Sequence, residues 1–145
     1  MGRLWQAPPF VTESTLRILI AEDDPQLAEL VESILDGDGR FLVVGHASDG
    51  DEAVRLCDET APDIVLMDIG MPGRDGIDAT RAIHARDAAQ HVVIYTGSDE
   101  YDDVARADAA GAVGFLHKHA LTSPDLAEAL HVLHANYLSS VPDPD

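Results

Sequence analysis

The sequence predicts an α/β domain built on a doubly wound sheet of five parallel strands, with helices on both faces. Apolar runs of strand length alternate strictly with segments whose apolar residues recur at helical spacing. The run at residues 64–67 is apolar throughout, as expected for a strand buried on both faces of a parallel sheet. The length of 145 residues suffices for one such domain with a sizeable core.

The first half of the chain is predicted to contain, in order, a strand at 16–21, a helix at 25–35, a strand at 41–45, a helix at 53–58 and a strand at 63–68. Pro25 suits the first turn of a helix, and Gly37 ends that helix. The second helix is short and ends before Pro62. Asp68 closes the third strand, and a loop rich in glycine and proline follows it.

The second half is predicted to contain a helix at 77–83, a strand at 91–95, an alanine-rich helix at 99–110, a strand at 112–116 and a last helix opened by Ser123 and Pro124. The apolar face of the last helix is predicted to consist of Leu126, Ala129, Leu130, Leu133 and Leu138. We interpret residues 1–15 as an N-terminal arm, 16–138 as the domain and 139–145 as a tail or linker.

Composition narrows the class of function. The net charge of −18 argues against direct contact with nucleic acid, because phosphate backbones would repel the domain. A high-salt cytoplasm and a high-GC genome are both consistent with this acidity. No apolar run reaches the length of a membrane span, and no signal peptide is evident, so we expect a cytoplasmic protein with no membrane partner. The lone Cys57 rules out an internal disulfide framework.

Polar side chains follow four of the five predicted strands. Glu22 and Asp23 follow the first strand, Asp68 ends the third, Thr96 follows the fourth, and Lys118 follows the fifth. The carboxyl ends of parallel strands share one edge, where ligands bind in open α/β sheets. Converging carboxylates repel one another unless a cation compensates, and oxygen ligands favour Mg²⁺. The competing interpretation is that Asp68 caps the next helix and Lys118 is a solvated surface charge.

Four segments together resemble the receiver domain of two-component response regulators: ILIAEDDP at 18–25, VLMDIGMPGRDG at 65–76, YTG at 95–97 and GFLHK at 114–118. The resemblance implies a flavodoxin-like fold with strand order 2-1-3-4-5. It implies that Asp68 accepts a phosphoryl group from a sensor histidine kinase, and that the chain is a switch rather than an enzyme. GFLHK is similar to the version found in receivers that precede a helix-turn-helix output domain.

The resemblance also assigns roles to individual residues. It implies that Asp23 and Asp68 bind Mg²⁺ directly, that Glu22 helps through water, and that the Gly70 carbonyl is a further ligand. Thr96 and Lys118 would contact the phosphoryl group. As the switch operates, Thr96 would move toward that group and Phe115 would turn inward. The face formed by helix 4, strand 5 and helix 5 would then be repacked for a downstream protein, an output domain or a second copy of the chain.

Three residues depart from the usual receiver pattern. His119 follows the lysine where most receivers have proline, Glu22 replaces the commoner aspartate, and Phe115 lacks the hydroxyl of a tyrosine. The active-site pattern itself is complete.

Other functions fit the sequence less well. Phosphoaspartate hydrolases usually carry a second acid two residues after the nucleophile, where this chain has Gly70. Receivers that act only as interaction modules lose an acid or the lysine, and this chain keeps both. A helical histidine that donates phosphoryl groups normally belongs to a four-helix bundle, which argues against that role for His84, His131 and His134. His117 and His119 lack further zinc ligands at suitable spacing.

Overall fold

The computed structural model describes residues 15–97, 101–112 and 114–140 of the chain. The predicted arm, apart from Thr15, and the last five residues of the predicted tail lie outside the described residues, as do Ser98 and Asp99. The helix that precedes the tail ends at Ser140, two residues beyond the predicted end of the domain.

Five strands form one parallel sheet in the order β2-β1-β3-β4-β5. Their bounds are β1 Leu16–Ala21, β2 Phe41–Ala47, β3 Ile64–Asp68, β4 His91–Thr96 and β5 Gly114–His117. The predicted fold class and strand order are confirmed. The order changes direction at β1, and its neighbours β2 and β3 lie on either side of it, so the crevice for ligands is expected beside the carboxyl end of β1.

Helices alternate with the strands as predicted. Their bounds are α1 Pro25–Asp36, α2 Gly50–Thr60, α3 Gly76–Arg86, α4 Tyr101–Ala110 and α5 Leu126–Ser140, and a 3₁₀ helix spans Lys118–Thr122. None of the helices in the described ranges is both long and apolar enough to cross a membrane.

Helix α2 begins three residues before the predicted start because its N-terminus is capped by polar side chains. The Asp49 carboxylate accepts a hydrogen bond from the backbone N–H of Glu52 at 2.8 Å. The Glu52 carboxylate accepts one in return from the backbone N–H of Ser48, also at 2.8 Å. This reciprocal capping supports a first turn that has no apolar residue, so hydrophobic periodicity alone did not locate it.

The last strand and helix also differ from the prediction. Strand β5 begins at Gly114 rather than Ala112, because the backbone N–H of Ala112 donates to the carbonyl of Ala107 and so completes the end of α4. The 3₁₀ helix occupies the connection to α5. Leu138, predicted on the buried face of α5, is 60% exposed, and the buried positions of that helix instead include His134.

The sheet separates two apolar layers. On one face, β1, β3 and β4 pack against α2, α3 and α4 through residues such as Leu19, Val65 and Ile94. On the other face, the alternate residues of the same strands pack against α1 and α5. Strands β3 and β4 are buried along their whole length, which accounts for their continuous apolar runs.

Candidate functional site

Three carboxylates meet at the carboxyl edge of the sheet, beside β1 and β3. Oxygen atoms of Glu22, Asp23 and Asp68 all lie within 4.8 Å of one another. Glu22 and Asp68 are buried, whereas Asp23 is exposed. Among the described residues, no other group of three or more aspartate, glutamate, histidine or cysteine side chains converges in this way.

Glu22 is held by both backbone and side-chain contacts. Its backbone N–H donates to the Ala47 carbonyl at the end of β2, at 2.9 Å. Its Oε2 accepts a hydrogen bond from the backbone N–H of Asp24 at 2.9 Å, and its Oε1 accepts one from the Tyr95 hydroxyl at 2.5 Å. The Asp24 side chain in turn caps α1 by accepting from the backbone N–H of Gln26. The first helix and the acid cluster are therefore built by the same turn.

Asp68 is the last residue of β3, and the loop after it folds back over the strand end. Its Oδ1 accepts a hydrogen bond from the backbone N–H of Gly70 at 3.1 Å. Gly76 lies so close that a Cβ atom there would be 2.1 Å from the Asp68 carbonyl oxygen. A glycine at position 76 thus allows α3 to start directly against the strand that carries Asp68.

The electrostatics of the cluster favour a cation. Burial raises the pKa of Asp68, and the Gly70 N–H and the Lys118 ammonium oppose that rise. Burial likewise raises the pKa of Glu22, opposed first by the hydrogen bond from Tyr95. Three clustered oxygen donors, two of them buried and one open to solvent, fit Mg²⁺, which keeps several water ligands and uses few carboxylates.

Thr96 and Lys118 lie at the same edge. Thr96 is the last residue of β4, is buried, and pairs in the sheet with His117. Lys118 is exposed and begins the 3₁₀ helix. Its Cδ would lie 3.9 Å from a Cβ atom added at Gly97, so its aliphatic stem runs past that glycine. The positive charge of Lys118 acts to lower the pKa of both the Asp68 and the Glu22 carboxyl groups. The structure therefore brings the predicted acids, hydroxyl and amine to one edge.

Phe115 lies on β5, beside Ile94 of β4. Its ring is half-buried and packs against the layer between the sheet and α2, α3 and α4. Phe115 therefore lies in this apolar layer and not in the acid cluster. Gly70, by contrast, contacts the cluster directly, because its backbone N–H donates to Asp68.

The histidines do not form a second metal cluster in the described part of the chain. His117 and His119 flank Lys118, with ring centroids 4.3 Å apart. The Nε2 atom of His84 lies 2.7 Å from the Gln90 carbonyl oxygen. His134 is buried against His91, so it is not an exposed helical histidine of the kind that a phosphotransfer donor needs.

No role for Tyr95 was predicted from the sequence, although this residue lies in the YTG segment at 95–97. Its hydroxyl contacts the acid cluster directly. The available signal was a phenolic hydroxyl immediately before Thr96, at the end of the apolar run at 92–94.

Comparison with known proteins agrees with this geometry. The family model of the response regulator receiver domain matches residues 18–131. The transcriptional regulatory protein PdtaR of Mycobacterium tuberculosis is 42% identical over 102 residues, which cover 70% of this chain and 49% of PdtaR. The chemotaxis protein CheY of Halobacterium salinarum is 36% identical over 102 residues, which cover 70% of this chain and 83% of CheY. The chain spans about half the length of several of the curated relatives that it matches.

Solved structures give the same result. A two-component response regulator of the LuxR family from an Aurantimonas species superposes with a TM-score of 0.79 at 36% identity, covering 85% of this chain and 87% of the other. The receiver domain of the putative response regulator NarL from Mycobacterium tuberculosis superposes with a TM-score of 0.78 at 30% identity, covering 84% of this chain and 98% of the other. By its sequence, its strand order and these likenesses, the chain belongs to the response regulator receiver domain family of two-component systems.

Proposed function

We propose that this chain is the phosphoacceptor switch of a two-component system, in which Asp68 takes a phosphoryl group from the histidine of a sensor kinase. The observation that supports this most is the meeting of Glu22, Asp23 and Asp68 within 4.8 Å at an edge that Lys118 also reaches. Family membership supports it independently.

The proposed reaction is an in-line displacement. An Asp68 carboxylate oxygen forms a bond to phosphorus while the bond between phosphorus and the donor histidine nitrogen breaks, and the released imidazole takes up a proton from solvent. Charge has to be neutralised as an anionic oxygen approaches an anionic phosphoryl group. Bound Mg²⁺, held by Asp23 and Asp68, by the Gly70 carbonyl and through water by Glu22, would supply part of that neutralisation. The Lys118 ammonium supplies the rest at the phosphoryl oxygens.

The phosphoryl group then adds up to about two negative charges beside a buried hydroxyl. We propose that Thr96 donates a hydrogen bond to it and that Phe115 follows by moving further into the layer beneath it. Both residues lie at or next to the β4–β5 pair, so their movement would be transmitted to α4, β5 and α5.

The surface formed by α4, β5 and α5 is the proposed contact for an output domain, a downstream protein or a second copy of the chain. Val132 and Leu138 on α5 are exposed apolar side chains, 45% and 60% exposed. Response regulators of the LuxR family among the similar structures favour an output domain as the partner.

We propose a switch rather than a phosphoaspartate hydrolase, because position 70 holds a glycine and so offers no second carboxylate for turnover. The cytoplasmic location and the absence of direct nucleic-acid contact by this domain stay predictions from the sequence.

The test is intact-mass spectrometry after incubation with acetyl phosphate and Mg²⁺. We expect a mass gain of one phosphoryl group that is absent in Asp68→Asn and abolished by a chelator. No gain in the wild-type protein would favour a phosphorylation-independent interaction module. Rapid consumption of the donor without a phosphorylated product would favour the hydrolase.

A further inference from the structure

We infer that Tyr95 is a positioning residue of the proposed metal site, whose hydroxyl fixes the Glu22 carboxylate in the orientation that contacts the cation through water. The inference rests on the proposed function, since it concerns the same acid cluster. It assigns a role to a buried tyrosine that follows the apolar run at 92–94 of β4.

The contacts of Glu22 define the orientation. The Tyr95 hydroxyl lies 2.5 Å from Oε1, and the backbone N–H of Asp24 lies 2.9 Å from Oε2. Each carboxylate oxygen therefore accepts one fixed hydrogen bond and keeps lone pairs for water or metal. The hydroxyl also lies 3.4 Å from the Ala21 carbonyl oxygen, at the end of the same strand that delivers Glu22.

The tyrosine ring is itself immobilised. Tyr95 is 1% exposed and packs in the layer between the sheet and helices α1 and α5. Burial and the neighbouring Glu22 raise the pKa of its hydroxyl, so the group stays protonated and acts as a donor. A buried tyrosine hydroxyl needs a partner, and within this layer its partners are Glu22 and Ala21.

Tyr95 also contacts the strand that carries the phosphoacceptor. It pairs with Asp68 in the sheet, and its carbonyl accepts a hydrogen bond from the backbone N–H of Ile69 at 3.1 Å. One residue thus joins the end of β1 to the end of β3, directly before Thr96. Strands β1 and β3 already pair directly up to Ala21 and Met67, and Tyr95 adds a side-chain contact to the Glu22 carboxylate beyond that pairing.

The length of Glu22 explains why such a bridge is needed. A glutamate side chain has more rotatable bonds than an aspartate, and ordering it costs more conformational entropy. A hydrogen bond that orders the carboxylate before the cation arrives removes part of that cost from binding. In metal sites, hydrogen-bond donors that contact a ligand side chain commonly orient that side chain toward the metal or its bound water.

The test is calorimetric titration of Mg²⁺ into the wild-type protein, Tyr95→Phe and Tyr137→Phe. The control removes a hydroxyl that bonds to the Ala89 carbonyl at the opposite edge of the sheet. We expect Tyr95→Phe to raise the Kd for Mg²⁺ about tenfold, whereas Tyr137→Phe leaves it unchanged. At saturating Mg²⁺ the rate of phosphorylation by acetyl phosphate should recover in Tyr95→Phe, because the reacting groups are intact.

A double-mutant cycle separates positioning from general destabilisation. Glu22→Asp shortens the side chain by one methylene and withdraws the carboxylate from the hydroxyl. In that background Tyr95→Phe should change the Kd by no more than about twofold, since the interaction is already lost. An equal loss in both backgrounds would overturn the inference.

The remaining outcomes are distinct. If the wild-type protein binds no Mg²⁺, the proposed function fails. If it binds Mg²⁺ and Tyr95→Phe binds with the same Kd, only the role of Tyr95 fails. If Tyr95→Phe does not fold, the test uses NMR of the wild-type protein. The ring resonances of Tyr95 should shift as Mg²⁺ is added and follow the calorimetric binding curve, whereas those of Tyr137 should not shift. Ring resonances of Tyr95 that do not respond to Mg²⁺ would overturn the inference.

Discussion

The Nδ1 atoms of His91 and His134 lie 2.9 Å apart in the interface between β4 and α5. The two rings stack with centroids 5.1 Å apart, and both residues are buried. In the part of the chain that the structure describes, the Nε2 atom of His91 has no hydrogen-bond partner. A neutral histidine pair thus occupies an apolar interface at the edge of the sheet opposite the acid cluster.

Because both histidines are buried and neutral, we expect the free energy of unfolding to decrease as the pH is lowered below about 7. Burial lowers the pKa of His91 to about 4, and it lowers the pKa of His134 as well. Between the ordinary histidine value, about 6.5, and about 4, the unfolded chain binds more protons than the folded one, so the free energy of unfolding decreases as pH falls. His91 alone would account for up to about 3 kcal/mol at pH 4.

Urea denaturation at a series of pH values between about 7 and 5 measures this effect. The free energy of unfolding should depend less steeply on pH in His91→Leu than in the wild-type protein. The control variant His119→Gln, which alters an exposed histidine, should show the same pH dependence as the wild type. Identical pH dependence in the wild type and His91→Leu would show that the pair does not control it.

The acid cluster predicts that a variant defective in metal binding is more stable without metal. Asp68→Asn removes a buried charge that burial and Asp23 disfavour, so the free energy of unfolding of the metal-free protein should increase. The same variant should lose the rise in Tm that Mg²⁺ produces in the wild type. Asp125→Asn, on an exposed turn, should change neither quantity. A metal-free Asp68→Asn that melts below the wild type would contradict this account.

Lys118 is predicted to accelerate phosphorylation. It is the only lysine of the chain and its charge reaches Asp68. Removing a charged donor from the transition state typically costs about 100-fold in rate, so Lys118→Met should slow phosphorylation by acetyl phosphate by roughly that factor. Arg81→Met removes an exposed cation on α3 and should have no effect. Rates come from intact-mass time courses, and an undiminished rate in Lys118→Met would refute the role.

Gly76 is predicted to be required for placing Asp68. A Cβ atom there would lie 2.1 Å from the Asp68 carbonyl oxygen, so Gly76→Ala must displace either α3 or the strand end. We expect a loss of about 1–3 kcal/mol together with weaker Mg²⁺ binding. The matched control is Gly70→Ala, because a Cβ at that position meets only the Asp68 side chain, at 3.8 Å. Chemical denaturation compares the two variants, and equal stability would show that the loop can adapt.

Thr96 is predicted to be needed for the conformational change that follows phosphorylation, but not for phosphorylation itself. Thr96→Ala should still gain one phosphoryl group, but the chemical-shift changes in β5 and α5 that accompany phosphorylation should shrink. Thr96→Ser restores a hydroxyl and should recover them. Full shift changes in Thr96→Ala would remove Thr96 from the switch.

The alternation of strands and helices was predictable because it depends on local patterns. A continuous apolar run at 64–67 can only be buried on both faces, and the glycines and prolines after Asp68 exclude further strand. Five parallel strands necessarily place Glu22, Asp68 and Lys118 at one edge, so the composition of the site followed from the order of the elements. The start of α2 was missed because capping, not apolar spacing, begins that helix.

Contacts between segments far apart in the sequence could not be predicted, because they depend on how whole elements pack against one another. Whether Tyr95 bonds to Glu22, 73 residues earlier, depends on the register of β1, β3 and β4. Whether His134 rather than Leu138 is buried depends on how α5 rotates against β4. Hydrophobic periodicity predicts which face of an element is buried. It does not predict which residues of another element that face contacts, because those contacts depend on the packing of whole elements. Local sequence patterns therefore suffice for the order of strands and helices and for the edge that carries the candidate site, whereas packing between distant elements sets the supporting contacts of that site.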